Sequence, residues 1–160
     1  MSRRPALFFV LLCVFLDALC IGLIIPVLPR LLGVLTVSRE EQAFWYGAVM
    51  VGYGLTQFLC APILGALSDR FGRRPLLLSG ILGLGVMSLV PALTSSPAAI
   101  LISRILGGAL SANVVVAQAY IADITPVSER AKSFGRIGAV FGLAYILGPA
   151  LGGVLGDWSE

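Results

Sequence analysis

The sequence predicts an all-α membrane protein of about five transmembrane helices, and three observations predict it. Apolar runs of about twenty residues recur along the chain, charges are confined largely to the short segments between them, and alternate segments are strongly basic. About 20 mostly apolar helical residues cross about 30 Å of hydrocarbon. Hydrophobic residues make up 58% of the 160 and charged residues 12%, with a mean hydropathy of +0.99. A soluble domain carries about a quarter charged residues. Too few are present to coat a water-facing surface, so lipid is the solvent for most of this chain.

The first run covers about 6–28 and contains one charge, Asp17. It is too long for the apolar core of a signal peptide, and Pro26 and Pro29 stand where small residues would mark cleavage, so it is expected to be a retained helix. The second run, about 43–66, and the third, about 76–94, are uncharged. The fourth covers about 97–121, interrupted only by Arg104, and the fifth covers about 137–156.

The basic residues give an orientation. Arg3 and Arg4 precede the first run; Arg70, Arg73 and Arg74 separate the second and third; Arg130, Lys132 and Arg136 separate the fourth and fifth. The opposite side has only Arg30 and Arg39. Cytoplasmic loops carry the excess of Lys and Arg, so the N-terminus is expected in the cytoplasm. The net charge of +3 does not indicate a nucleic-acid partner, because no basic stripe follows a helix face. Cys13, Cys20 and Cys60 lie inside apolar runs without CxxC spacing, and the chain has no histidine. No metal site or Ser-His-Asp or Cys-His catalytic set is expected, and no cofactor.

Nineteen glycines suggest close helix packing. Small residues four apart mark contact faces in bilayers, and Gly138–Gly142, Gly148–Gly152 and Gly152–Gly156 supply such steps on the fifth helix. Gly83-x-Gly85 lacks the third glycine and the strand of a dinucleotide fingerprint. The stretch Gly65-Ala-Leu-Ser-Asp69-Arg70-Phe71-Gly72-Arg73-Arg74-Pro75 ends one helix, reverses at Gly72 and starts the next with proline in its first turn. Asp69 falls at a helix C-terminus, where the dipole disfavours a carboxylate. Arg73 is the candidate cation to offset it. Asp17 near the middle of the first helix costs at least ~2.5 kcal/mol to insert, and such carboxylates line pathways or relay protons. Gln57 and Asn113, polar residues inside the second and fourth helices, are candidate substrate contacts or packing hydrogen bonds.

The run from Gly65 through Arg74 resembles the G-x-L-[AS]-D-R-x-G-R-[RK] signature between the second and third helices of the major facilitator superfamily. Three more stretches agree in order and spacing. The segment from Asp17 through Gly22 and Pro26 to Pro29 looks like the first helix of bacterial tetracycline/proton antiporters. Arg104-x-x-x-Gly108 resembles the fourth-helix arginine motif of proton-coupled members, and Gly148-Pro149-Ala-Leu-Gly152-Gly153 resembles the antiporter motif of the fifth helix. Two positions depart. Ala144 stands where another motif glycine is usual, and Met87 falls where tetracycline antiporters carry an aspartate, which puts tetracycline itself in doubt as substrate.

The resemblance implies an incomplete six-helix N-terminal bundle over 1–160 of a proton-coupled drug or antibiotic efflux protein in the bacterial inner membrane. Its partners would be a small-molecule substrate, protons, lipid and the C-terminal helices of the same transporter, with the proton gradient as energy source. It assigns proton coupling to Arg104 with Asp17 as partner, and a conformational switch to Gly65, Asp69, Arg70, Gly72, Arg73 and Arg74 of the loop signature together with Asp123 at the cytoplasmic end of the fourth helix. A sugar or metabolite facilitator of the same superfamily and a non-transporting membrane fragment remain open. An intramembrane enzyme is disfavoured by the absence of histidine and of a paired serine and base.

Overall fold

A computed structural model of the chain describes residues 3–111 and 113–157. Six helices follow one another: α1 (Arg3–Leu35), α2 (Arg39–Phe71), α3 (Arg73–Leu93), α4 (Pro97–Leu110), α5 (Asn113–Ile124) and α6 (Val127–Asp157). With α4 and α5 taken as one span, five segments are long and apolar enough to cross a membrane. No strand occurs among the described residues.

The helices run further than the apolar stretches, because polar residues continue or cap them beyond the hydrocarbon. Ser38 caps α2 by accepting from the Glu41 amide, while the Glu41 carboxylate accepts from the Val37 amide. Ser96 caps α4, with Pro97 in its first turn. The turn between α2 and α3 is Gly72 alone, whose φ of 98° is the only positive value among the described residues. A side chain at that φ would be strained, which explains the glycine.

The largest boundary difference lies before the fifth span. Arg130, Lys132 and Arg136, expected in a loop, lie within α6, which begins at Val127. Arg130 reaches back to the carbonyls of Ala122 and Thr125 at 2.9 and 3.3 Å, satisfying the open end of α5. The fourth span is also not the continuous helix its sequence suggests. It breaks at Ser111, whose amide bonds Gly108 in a tighter turn at 3.2 Å. Groups on α2 meet the break: the Gln57 amide donates to the Ser111 carbonyl in place of a ladder bond, and the Tyr53 hydroxyl donates to Ser111 Oγ, each at 2.8 Å.

Helix α1 packs along α6, α2 along α4, and α3 against both halves of the fourth span. Two apolar clusters hold the bundle. Val10, Val14, Leu77, Val116, Ala117, Ile121 and Ile137 form one, while Leu28, Leu32, Val49 and Ile100 form the other. Asp17 and the break at Ser111 lie in the layer between them. Large side chains such as Phe58, Leu82 and Ile146 stay exposed, as expected for surfaces facing lipid or further helices.

The α1–α6 contact depends on small residues. A Cβ on Gly148 would sit 2.7 Å from the Cα of Gly22, and one on Gly152 would meet the Leu23 carbonyl. Ala144, in place of the usual motif glycine, is fully buried beside Gly22 and fits. The steps expected at Gly138–Gly142 face nothing within 4 Å and make no helix contact among the described residues, while the surroundings of Gly156 lie outside them. Those two glycines fall on an open face of α6, while Ile137, Val140 and Phe141 of the same stretch pack into the first apolar cluster. Gly148→Ala should therefore destabilise the protein by about 1–3 kcal/mol, since the contact is backbone on backbone. Gly138→Ala should be neutral or slightly stabilising, because alanine is the better helix former. Thermal unfolding of the two detergent-solubilised variants checks this contrast.

Candidate functional site

Asp17 is completely buried. Its Oδ1 accepts from Asn113 Nδ2 at 2.7 Å and from Ser111 Oγ at 3.3 Å, while Oδ2 has no hydrogen-bond partner among the described residues. The donors come from either side of the helix break, so one carboxylate oxygen joins the end of α4 to the start of α5. A carboxylate is also favoured near the N-terminus of a half-helix, where unpaired amides gather. Ser111 in turn accepts from Tyr53, giving a directional chain from the Tyr53 hydroxyl through Ser111 to Asp17.

A cavity of about 300 Å³ lies beside this chain, lined by Asp17, Gln57, Ser111, Phe141 and Tyr145 among others. The Phe141 and Tyr145 rings stack with centroids 6.0 Å apart. The cavity thus joins a carboxylate, an amide and an aromatic wall, which suits a small organic molecule. Gln57 lines it, although its Nε2 is held by the Ser111 carbonyl. Asn113 is 2% exposed and bound to Asp17, and it does not line this cavity.

Arg104 is 5% exposed, so it is enclosed by the bundle and does not extend to the membrane surface. Its Nε and Nη2 have no partner among the described residues, and no ion pair joins it to Asp17. The pairing suggested by sequence does not form; Asp17 bonds Ser111 and Asn113 instead. Gly108, one turn below Arg104, lets α2 approach so closely that a Cβ would strike the Tyr53 carbonyl and the Thr56 hydroxyl. Met87 lies against Gly107 at the α3–α4 contact, where it brings no charge.

The second cluster sits at the far ends of α2, α3 and α5. Arg73 Nη2 lies 2.5 Å from Asp69 Oδ1, and its Nε donates to Asp123 Oδ2 at 3.0 Å. Its Nη1 donates to Ser68, which is 1% exposed and also bonds the Gly65 carbonyl. The cation sought for Asp69 is therefore Arg73, and Asp123 completes the set from fifty residues away. Arg74 lies over the Phe9 ring at 4.9 Å, and Arg70 over its neighbour Phe71 at 5.5 Å. Gly65 comes within 4.0 Å of Val115 on α5 by its would-be Cβ. Of the antiporter-motif positions, Gly148, Pro149 and Gly152 face α1, and Gly153 faces nothing within 4 Å. Among the described residues no group of His, Cys, Asp or Glu could hold a metal ion.

Sequence reasoning missed Ser68, Tyr53 and Ser111. The last two carried a signal: Tyr53 stands four residues before Gln57 on one helix face, and Ser111 stands two before Asn113 in an apolar run.

Comparison with known proteins identifies the family. The chain is 47% identical over 156 residues to the Tetracycline resistance protein, class C, of Escherichia coli, covering 98% of this chain and 39% of that protein. It is 44% identical over 149 residues to the class B protein of Escherichia coli, covering 93% and 37%. To Multidrug resistance protein 2 of Bacillus subtilis (strain 168) it is 33% identical over 156 residues, covering 96% and 38%. The chain thus spans about two fifths of the length of the curated relatives it matches. The Major Facilitator Superfamily family model matches residues 10–160, nearly the whole of a chain built from five membrane-capable spans; the chain belongs to the Major Facilitator Superfamily.

Proposed function

We propose that this chain is the N-terminal part of a proton-coupled drug efflux transporter of the bacterial inner membrane, with its N-terminus in the cytoplasm. The observation that carries the reading is the fully buried Asp17 carboxylate, with one oxygen bonded across a broken helix and the other unpartnered beside a cavity. An ionisable group at that depth is a binding or proton-transfer site by default. The relatives named for tetracycline and multidrug resistance support an antibiotic or drug as cargo. Met87, where a carboxylate would stand in tetracycline antiporters, favours a drug less dependent on that charge. Further helices of the full-length protein would complete the bundle and the opposite wall of the site.

The test is transport by the full-length protein in inside-out vesicles, with tetracycline and a panel of lipophilic drugs. Drug uptake driven by an imposed proton gradient, and abolished by a protonophore, is expected. Equilibration of a sugar or metabolite that ignores the gradient would overturn efflux in favour of a facilitator.

Orientation is tested separately. The basic residues of Arg3–Arg4, Arg70–Arg74 and Arg130–Arg136 support a cytoplasmic position for those segments. Ser128→Cys should resist a membrane-impermeant thiol reagent in intact cells, and Ser95→Cys should react; both positions are exposed. Labelling of Ser128→Cys from outside would reverse the topology.

A further inference from the structure

Asp17 and Arg73 occupy different clusters, yet one short helix touches both. Helix α5 carries Asn113 at its start, bonded to Asp17 at 2.7 Å, and Asp123 at its end, bonded to Arg73 at 3.0 Å. Ten residues of helix separate them, about 15 Å at ~1.5 Å per residue. We propose that Asn113 is a positioning residue that couples the state of the Asp17 carboxylate to the Arg73 cluster, with α5 as the moving element.

Three features support this beyond the two contacts. First, α4 ends at Leu110 and α5 begins at Asn113, and α2 bonds Ser111 between them through Tyr53 and Gln57. Second, α5 has an apolar face, Val116, Ala117 and Ile121, at most 2% exposed in one cluster with residues of α1, α3 and α6. Close packing of that kind favours displacement of the helix as a body over bending. Third, the Asn113 amide has one place to go. Its Nδ2 meets Asp17, and its Oδ1 lies where a Cβ on Gly80 of α3 would collide with it. The missing side chain at Gly80 makes room for that amide, and Asn113 does not line the cavity.

Hydrogen bonds to a charged acceptor are roughly twice as strong as neutral ones. A carboxylate that is neutralised, or that engages a ligand through Oδ2, therefore loosens its hold on Asn113. The start of α5 is then free to shift, and the shift arrives at Asp123. Coupling requires a discrete element that both sites bias, and α5 is bonded to both.

The inference rests on the transport reading above, and its test uses a readout independent of drug movement. Ser68 is 1% exposed beneath Arg73, so the alkylation rate of Ser68→Cys in the full-length protein, with native cysteines replaced, reports opening of the cluster. Asp17→Asn should change that rate by about fivefold or more. Adding Asn113→Ala should reduce the response to less than twofold, and Asn113→Ser, which keeps a donor, should restore part of it. Should Asn113→Ala fail to reach the membrane, Gly80→Ala, which displaces the amide, should give the same uncoupling. A full response in Asn113→Ala or Gly80→Ala overturns the inference. No response to Asp17→Asn in the parent overturns it as well, and gradient-driven efflux in the same vesicles then shows whether the transport reading survives.

Discussion

Asp17→Asn in the full-length protein should abolish gradient-driven efflux while leaving the protein in the membrane at its normal level. Asparagine has nearly the same shape, and its Oδ1 can still accept from Asn113 and Ser111. Its Nδ2 takes the place of the unpartnered Oδ2, so one unpartnered buried polar atom replaces another. What is lost is the capacity to take up and release a proton or to balance a cationic ligand. Efflux should fall to background, at least a hundredfold, which is within the ~10²–10⁴-fold range for removing a positioned proton-transfer group. Asp17→Glu should be intermediate, because it keeps the acid but adds a methylene to a site with no exposed surface, at a cost of about 1–3 kcal/mol. Paired immunoblots of membranes and vesicle uptake check both. Unchanged efflux in Asp17→Asn would leave Asp17 as a packing residue and remove the main support for proton coupling through this helix.

Much of this architecture was legible in the sequence because the bilayer enforces it. Backbone groups in hydrocarbon must bond internally, so each long apolar run had to be a helix, and the five spans follow. Asp17 and Arg104 were legible for the same reason, since charge at membrane depth stands out against an apolar background. Asp69 and Arg73 could be paired by spacing and by the helix dipole, while Asp123 was reached through family resemblance. The break at Ser111 was hidden because it is held by Tyr53 and Gln57 from another helix, and no proline follows Pro97 within the fourth span to mark it. The absence of an Arg104–Asp17 pair was hidden for a similar reason. Sequence shows two opposite charges and suggests a pair, but in the packing Asp17 bonds Asn113 and Ser111 instead. Glycine spacing was a mixed guide, since Gly148 and Gly152 found a partner helix and Gly138 and Gly142 did not.

Asp69→Asn is expected to slow transport strongly while substrate binding persists, and the cluster around Arg73 explains the asymmetry. A single guanidinium holds two carboxylates and a buried hydroxyl, drawing together the ends of α2, α3 and α5. The Asp69 and Asp123 side chains remain 63% and 57% exposed, so solvent screens the pairs and each contributes about 1 kcal/mol or less. That is little for stability, but about 1.4 kcal/mol is tenfold in an equilibrium, so losing one pair biases a two-state protein severalfold. Alternating access needs this end of the bundle to open and close in each cycle, and the drug site proposed above lies elsewhere, beside Asp17. Arg73→Lys should be milder than Arg73→Ala, because a lysine keeps the charge but cannot present three donors in one plane. Gly72→Ala should impair the same step, since only glycine tolerates the φ of 98° that joins α2 to α3 without strain. Equilibrium drug binding and transport rate measured on the same purified variant decide the matter. Normal binding with transport reduced tenfold or more supports a switch. An equal loss of both in Asp69→Asn would place the residue in the binding site or the fold and end the gating interpretation.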